Sequence, residues 1–178
     1  MPATAKLPSR LHHTAYVTND LEATRKFYEE VIGLPLVATW CEADELFGET
    51  RTYCHCFFGI GDGGALAFFQ FANARDQELF GPKIPASPFN HIALNVDAET
   101  QAGIEKRIAA AGIKGPDTYV LEHGYCRSVY VNDPNGLILE FTHDHPDAEK
   151  INSIRMKDAH SELKRWLAGD HTSNNMFR

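Results

Sequence analysis

Four polar side chains interrupt runs that are otherwise apolar: His13 in "LHHTAYV", Gln70 in "LAFFQF", His91 in "FNHIALNV" and Glu140 in "GLILEFTH". An amide or carboxylate set where a strand should present a core residue needs a partner, because burying it bare costs on the order of a few kcal/mol, and far more if ionised. For Glu140 that partner must be cationic. No Lys or Arg occupies the matching inward positions, whereas two histidines do. Two neutral imidazoles and one carboxylate, with coordination positions left open, make the facial triad of non-haem Fe(II), and the same donors suit Mn(II), Zn(II) or Ni(II). His13, His91 and Glu140 are therefore the expected ligands of a divalent metal. Gln70 is expected either as a fourth ligand or as the amide that holds a metal-bound water or substrate.

The elements that must position these groups are written twice. "LHHTAYVTNDLEATRKFYEEVIGLPL", residues 11–36, and "FNHIALNVDAETQAGIEKRIAAAGIKG", residues 89–115, share one plan: a short strand with His followed two residues later by Ala, a polar break, an amphipathic helix and a stopping Gly. Such self-similarity decides architecture before any local motif does. Superposing the halves aligns His13 with His91 and Gln70 with Glu140. Thr18 or Asn19 is expected to cap the first helix and Asp97 the second, and Gly33 and Gly112 suit the left-handed position that ends a helix. Inner faces are expected at Leu21, Phe27, Tyr28 and Val31, and at Ile104, Ile108 and Ala111.

Strands are expected over 35–42, 51–59 and 65–71 in the first half, with "GDGG" as a hairpin turn, and over 117–121, 126–132 and 137–142 in the second, with "NDPNG" as its turn. The fold class is then α+β: two βαβββ modules, 9–72 and 88–143, pairing into a curled mixed sheet around a metal site. A Pro-rich polar linker, 73–87, separates them, and 144–178 forms a tail with a helix near Ala159–Leu167. The segments 43–50, 72–88 and 122–127 are expected as pocket-shaping loops.

Composition removes several classes. The balance of 17 basic to 24 acidic residues, a formal net charge of -7, and the lack of a basic stripe with interleaved aromatics argue against nucleic acid as partner. "MPATAKLPSRLHH" has no apolar leader core, and no stretch approaches the roughly 18 apolar residues of a membrane span, so a cytoplasmic protein is expected. Cys41, Cys54, Cys56 and Cys126 are too few and too unevenly spaced for a secreted disulfide framework and are expected to be reduced. Strand alternation sends His55 to the face opposite Cys54 and Cys56, which opposes a Cys-His-Cys metal site and leaves His55 as an expected surface residue. A small-molecule substrate is the expected partner, and the C-terminal helix is compatible with a homodimer.

Through "HHTAYVTNDLEATRKFYEEVIGL", "NHIALNV" and "VYVNDPNGLILEF" the chain resembles the vicinal oxygen chelate superfamily, which includes glyoxalases, extradiol dioxygenases, epimerases and fosfomycin or bleomycin resistance proteins. The resemblance covers roughly residues 9–143 and implies the same ligands, His13, His91 and Glu140. It also implies catalytic candidates. In the extradiol dioxygenases a tyrosine on the penultimate strand, ten residues before the ligand Glu, assists catalysis, and Tyr130 stands at that position. His123 lies near the place of a dioxygenase catalytic histidine, though out of register, and "GGALAF" lacks the other one. Against a glyoxalase, an amide at position 70 cannot serve as the proton-transfer base. The resemblance thus implies a metal-dependent dioxygenase-type oxidoreductase with Fe(II) favoured, ahead of a glyoxalase-like isomerase, epimerase or lyase. A resistance-type ligand-binding protein is the alternative without chemistry.

Overall fold

The computed structural model describes residues 8–84 and 87–177, so the first seven residues and part of the expected linker, residues 85–86, lie outside the described residues. The chain divides into two compact units, one running to Asn90 and including Asn132–Leu137, the other formed by His91–Val131 and the chain from Ile138 onward. The architecture is α+β: two four-stranded mixed sheets of βαβββ order, with a C-terminal helix.

In the first unit β1 (His13–Val17), β2 (Leu36–Leu46), β3 (Glu49–Gly59) and β4 (Ala65–Phe71) lie in the order β1-β4-β3-β2, with β1 parallel to β4 and the other pairs antiparallel. Helix α1 (Leu21–Arg25) starts at Asp20, whose carboxylate accepts from the Ala23 amide at 2.9 Å, so the cap sits one residue beyond the expected Thr18 or Asn19. Thr18 instead joins a buried hydroxyl pair with Thr24 at 2.8 Å. The helix widens into π turns over Lys26–Ile32 and stops at Gly33, whose φ of 94° is open to glycine at little cost. This widening brings Phe27, Tyr28 and Ile32 into the core; Val31 is not among the fully buried residues. Tyr28 stacks on Phe58 at 5.0 Å and meets Phe68 at 4.9 Å.

Two expected loops have structure of their own. Residues 43–50 are mostly strand, because β2 and β3 pair until a tight end at Phe47 and Gly48, both with positive φ. The linker begins with helix α2 (Ala74–Phe80), capped by Asn73 and anchored by Asp76, which is buried and ion-paired with buried Arg51 of β3.

In the second unit β5 (His91–Asn95), β6 (Thr118–Glu122), β7 (Cys126–Asn132) and β8 (Ile138–Asp144) take the order β5-β8-β7-β6. Helix α3 (Ala98–Ala110) is capped by Asp97, and Ile104 and Ile108 face inward as expected, but Ala111 is exposed and the third inward residue is Gln101. Gln101 satisfies its buried amide by donating to the carbonyls of Phe141 at 2.7 Å and Arg127 at 2.9 Å. Helix α4 spans Ala148–Leu167, starting well before the expected Ala159. Among the described residues no helix is long and apolar enough to cross a membrane.

Candidate active site

Register decides which polar exceptions are comparable. In the first unit His13 pairs with Ala65 and Ala15 with Ala67; in the second His91 pairs with Ile138 and Ala93 with Glu140. The counterpart of Glu140 is therefore Ala67, not Gln70. An offset of three residues is odd, so it turns the side chain to the opposite face of the sheet. Gln70 lies on the helix face, where its Oε1 accepts from the Leu21 amide at 3.0 Å and its Nε2 donates to the Asn19 carbonyl at 3.3 Å. Gln70, expected as a metal ligand or as the holder of a metal-bound water or substrate, has its amide engaged by the first turn of α1.

Glu140 occupies the other face of its strand. Leu139 and Phe141 point into the core, while Glu140 stands beside His91, with Nε2 of His91 2.9 Å from Oε2 of Glu140. Thr142 donates to Oε1 at 2.8 Å and is itself linked to Ser128 at 3.0 Å. Burial alone would push the Glu140 carboxyl up, but hydrogen bonds involving Ser128, Thr142 and Tyr130, together with the His91 ring, outweigh it and hold the group below the ordinary glutamate value.

Tyr130 shares that face and is only 5 % exposed. Its ring meets His91 edge-on at 5.7 Å and stacks on Tyr119 at 4.7 Å, and its hydroxyl lies 3.2 Å from Nε2 of His123. Burial, followed by the contact with Glu140, pushes the phenol up to about 12, so it is protonated at neutral pH. His123 is braced from the C-terminal segment, since Asn175 donates to its backbone carbonyl at 3.1 Å. His91, His123, Tyr125, Tyr130, Glu140 and Asn152 line a cavity of about 550 Å³. Asn152 and the Asn175 brace come from the region expected as a tail with a helix near Ala159–Leu167, and no signal in their sequence marks them as site residues.

His13 belongs to the first unit. Its Nδ1 contacts that of His12 at 2.8 Å, and its ring lies edge-on to His55 at 6.1 Å and Phe57 at 5.5 Å. His55 is buried rather than on the surface, stacked on Phe69 at 3.5 Å, and desolvation with a smaller contribution from His13 pushes its imidazole down to about 4. Both faces of a central strand are covered here, which alternation alone does not reveal. Among the described residues no group of three or more His, Cys, Asp or Glu side chains is arranged to hold a metal ion. The structure brings together His91 and Glu140, and beside them Tyr130 and His123.

A divalent cation fits the donor set of that pair. An imidazole nitrogen and a carboxylate oxygen face each other, and the groups acting on Glu140 are hydroxyls and His91, with no ammonium or guanidinium among them.

Two successive βαβββ modules are the frame of one class, and residues 10–141 match it: the chain belongs to the Glyoxalase/Bleomycin resistance protein/Dioxygenase superfamily, the vicinal oxygen chelate superfamily. A probable lactoylglutathione lyase of Vibrio parahaemolyticus is 28% identical over 135 residues, 74% of this chain and 88% of the relative. Among solved structures, the fosfomycin resistance protein FosX of Listeria monocytogenes superposes with a TM-score of 0.57 at 20% identity, covering 80% of this chain and 98% of that one. FosX of Mesorhizobium loti gives 0.53 at 21% identity, covering 82% and 99%. A single-residue mutant of the Listeria protein has also been crystallised with Mn(II) and 1S,2S-dihydroxypropylphosphonic acid. At these identities the structural likeness speaks for the fold.

Proposed function

We propose that this chain is a divalent-metal-dependent enzyme that binds a small substrate through two neighbouring oxygens and moves a proton on it. The observation that carries this reading is the conjunction of His91 and Glu140, at 2.9 Å, with the His123–Tyr130 pair, at 3.2 Å, on one cavity wall. His91 and Glu140 would hold the metal, with His13 as the expected third ligand. When bound, the metal supplies Lewis-acid polarisation of the substrate oxygens. Tyr130 presents a hydroxyl at the cavity wall, where Oη can donate to a substrate oxygen. Nε2 of His123 can exchange that proton with Oη, while the stacked Tyr119 fixes the phenol ring. Likeness to a probable lactoylglutathione lyase supports a lyase or isomerase as the reaction class.

A dioxygenase-type oxidoreductase using Fe(II) is the second reading, favoured by the placement of Tyr130 and His123 beside Glu140. The two part experimentally. Protein freed of metal and reloaded anaerobically with Mn(II), Ni(II), Zn(II) or Fe(II) is offered hemithioacetals of 2-oxoaldehydes and, separately, catechols with oxygen uptake recorded. Thioester formation with Mn(II), Ni(II) or Zn(II) supports the first reading, and oxygen uptake restricted to Fe(II) supports the second. If none of the four ions binds wild type near stoichiometrically, both readings fail.

A further inference from the structure

Three of the four cysteines lie on one hairpin of the first unit, and the metal reading uses none of them. Cys41 of β2 stands directly opposite Cys54 of β3, their sulfurs 3.8 Å apart, and the Cys56 sulfur is 3.9 Å from that of Cys54. Directly opposed residues of an antiparallel pair have Cα separations of about 4.5–5.5 Å, inside the roughly 4.4–6.8 Å that a disulfide spans. Closing the remaining gap between Cys41 and Cys54 takes side-chain rotation and a small approach of the two strands, since opposed Cβ atoms start about 4.5–5.5 Å apart and a disulfide holds them at roughly 3.5–4.5 Å. Cys54 and Cys56 are two apart on an extended strand, which at about 3.4 Å per residue puts their Cα atoms at the far limit of that span. Geometry therefore selects one partner for Cys54, and it is Cys41.

Access follows the same order. Cys41 is exposed, Cys54 half-buried and Cys56 buried. Cys41 and Cys54 share the wall of a cavity of about 360 Å³ with Leu21, Thr52 and Gln70, so a small oxidant can reach both sulfurs. We propose that Cys41 and Cys54 form an oxidisable pair, which a hydroperoxide converts to a cross-strand disulfide and a thiol reductant restores. The Cys41 sulfur, as thiolate, attacks the peroxide O–O bond; one oxygen stays on sulfur as a sulfenic acid and the other leaves as water or alcohol. The Cys54 sulfur then attacks the Cys41 sulfur, the S–S bond forms, and the sulfenic oxygen leaves as water. Two electrons pass from the thiols to the peroxide. Desolvation, together with the neighbouring Cys56 and Cys41 thiols, pushes Cys54 up to about 12, which keeps it a thiol at neutral pH and leaves the first attack to Cys41; Cys54 gives up its proton as it attacks the sulfenic sulfur. The bond ties β2, an edge strand, to its inner neighbour.

The test is hydrogen peroxide treatment of the full-length reduced protein, followed by denaturing alkylation, thiol counting and peptide mapping. Arg51 separates Cys41 from Cys54 for tryptic mapping, and fragmentation distinguishes Cys54 from Cys56. The expected result is the loss of two of the four thiols, a mass decrease of two hydrogens, a Cys41–Cys54 cross-link and full recovery with dithiothreitol. Cys41→Ser and Cys54→Ser each abolish the cross-link, and Cys56→Ala keeps it. A bridge to Cys56, a bridge between two molecules, or oxidation of Cys41 to sulfinic acid with Cys54 still free would overturn the proposal. Mapping of wild type decides among these even if a variant fails to fold.

Discussion

Gln70 and Glu140 each interrupt the apolar last strand of a module, and the pleat sends their side chains to opposite faces, so removing them should leave different marks. Gln70→Ala takes the acceptor from the Leu21 amide and the donor from the Asn19 carbonyl. The expected outcome is about 1–3 kcal/mol less stability in urea unfolding, the usual result of stranding a partly buried polar group, with metal content unchanged. A Gln70→Ala protein that loses its metal would return the amide to the ligand set. Tyr130→Phe keeps the stack on Tyr119 and removes only the hydroxyl that meets His123. It should bind metal as wild type does and lose about 10²- to 10⁴-fold in kcat on whichever substrate the metal-loaded enzyme accepts. A loss confined to KM would make Tyr130 a binding group instead.

At the scale of elements, α2 is a helix fastened from outside itself. Its seven residues are too few to be stable alone, and they hold because Asn73 caps them and Asp76 reaches the buried Arg51 guanidinium. Asp76→Ala would leave that guanidinium buried without its main partner and should cost about 3–5 kcal/mol, read as a lowered urea midpoint with unaltered slope. A change below 1 kcal/mol would mean that water already reaches Arg51. This dependence on a distant strand also explains why "NARDQELFGPKIPASPFN" reads as linker. Its helix signal is short, and the arginine that sustains it lies more than twenty residues earlier. The repeat made the strands and α3 readable, because each was written twice or followed from period-2 and helical spacing, and apolar context marked His91 and Glu140 as polar exceptions. What spacing could not settle was the offset within the last strands. Gln70 and Glu140 look equivalent by apolar context, and only the pairing of Ala15 with Ala67 and of Ala93 with Glu140 separates them. The reach of α4 and the tail toward His123 was hidden for the same reason as α2: Asn175 is an unremarkable polar residue until its long-range partner is known.

For the molecule as a whole, the metal reading predicts a linkage between ligand and folding. A cation that binds the native chain and not the unfolded one stabilises by RT ln(1 + [M]/Kd), about 2.7 kcal/mol when free metal is a hundred times Kd. Metal-free wild type should therefore melt lower than the loaded protein, with a midpoint that climbs as Mn(II), Ni(II), Zn(II) or Fe(II) is raised and falls back when a chelator is added. Glu140→Ala should lose this dependence. The same substitution also frees His91 from its carboxylate, so its metal-free stability alone would not be diagnostic. The slope of midpoint against metal concentration is diagnostic, because only binding generates it. Gln70→Ala is the matching control, since it should start from a lower midpoint and climb with the wild-type slope. His13→Ala tests the remaining expected ligand by the same slope: a flat response places His13 in the metal site, whereas a wild-type response leaves the cation to His91 and Glu140 and removes His13 from the ligand set.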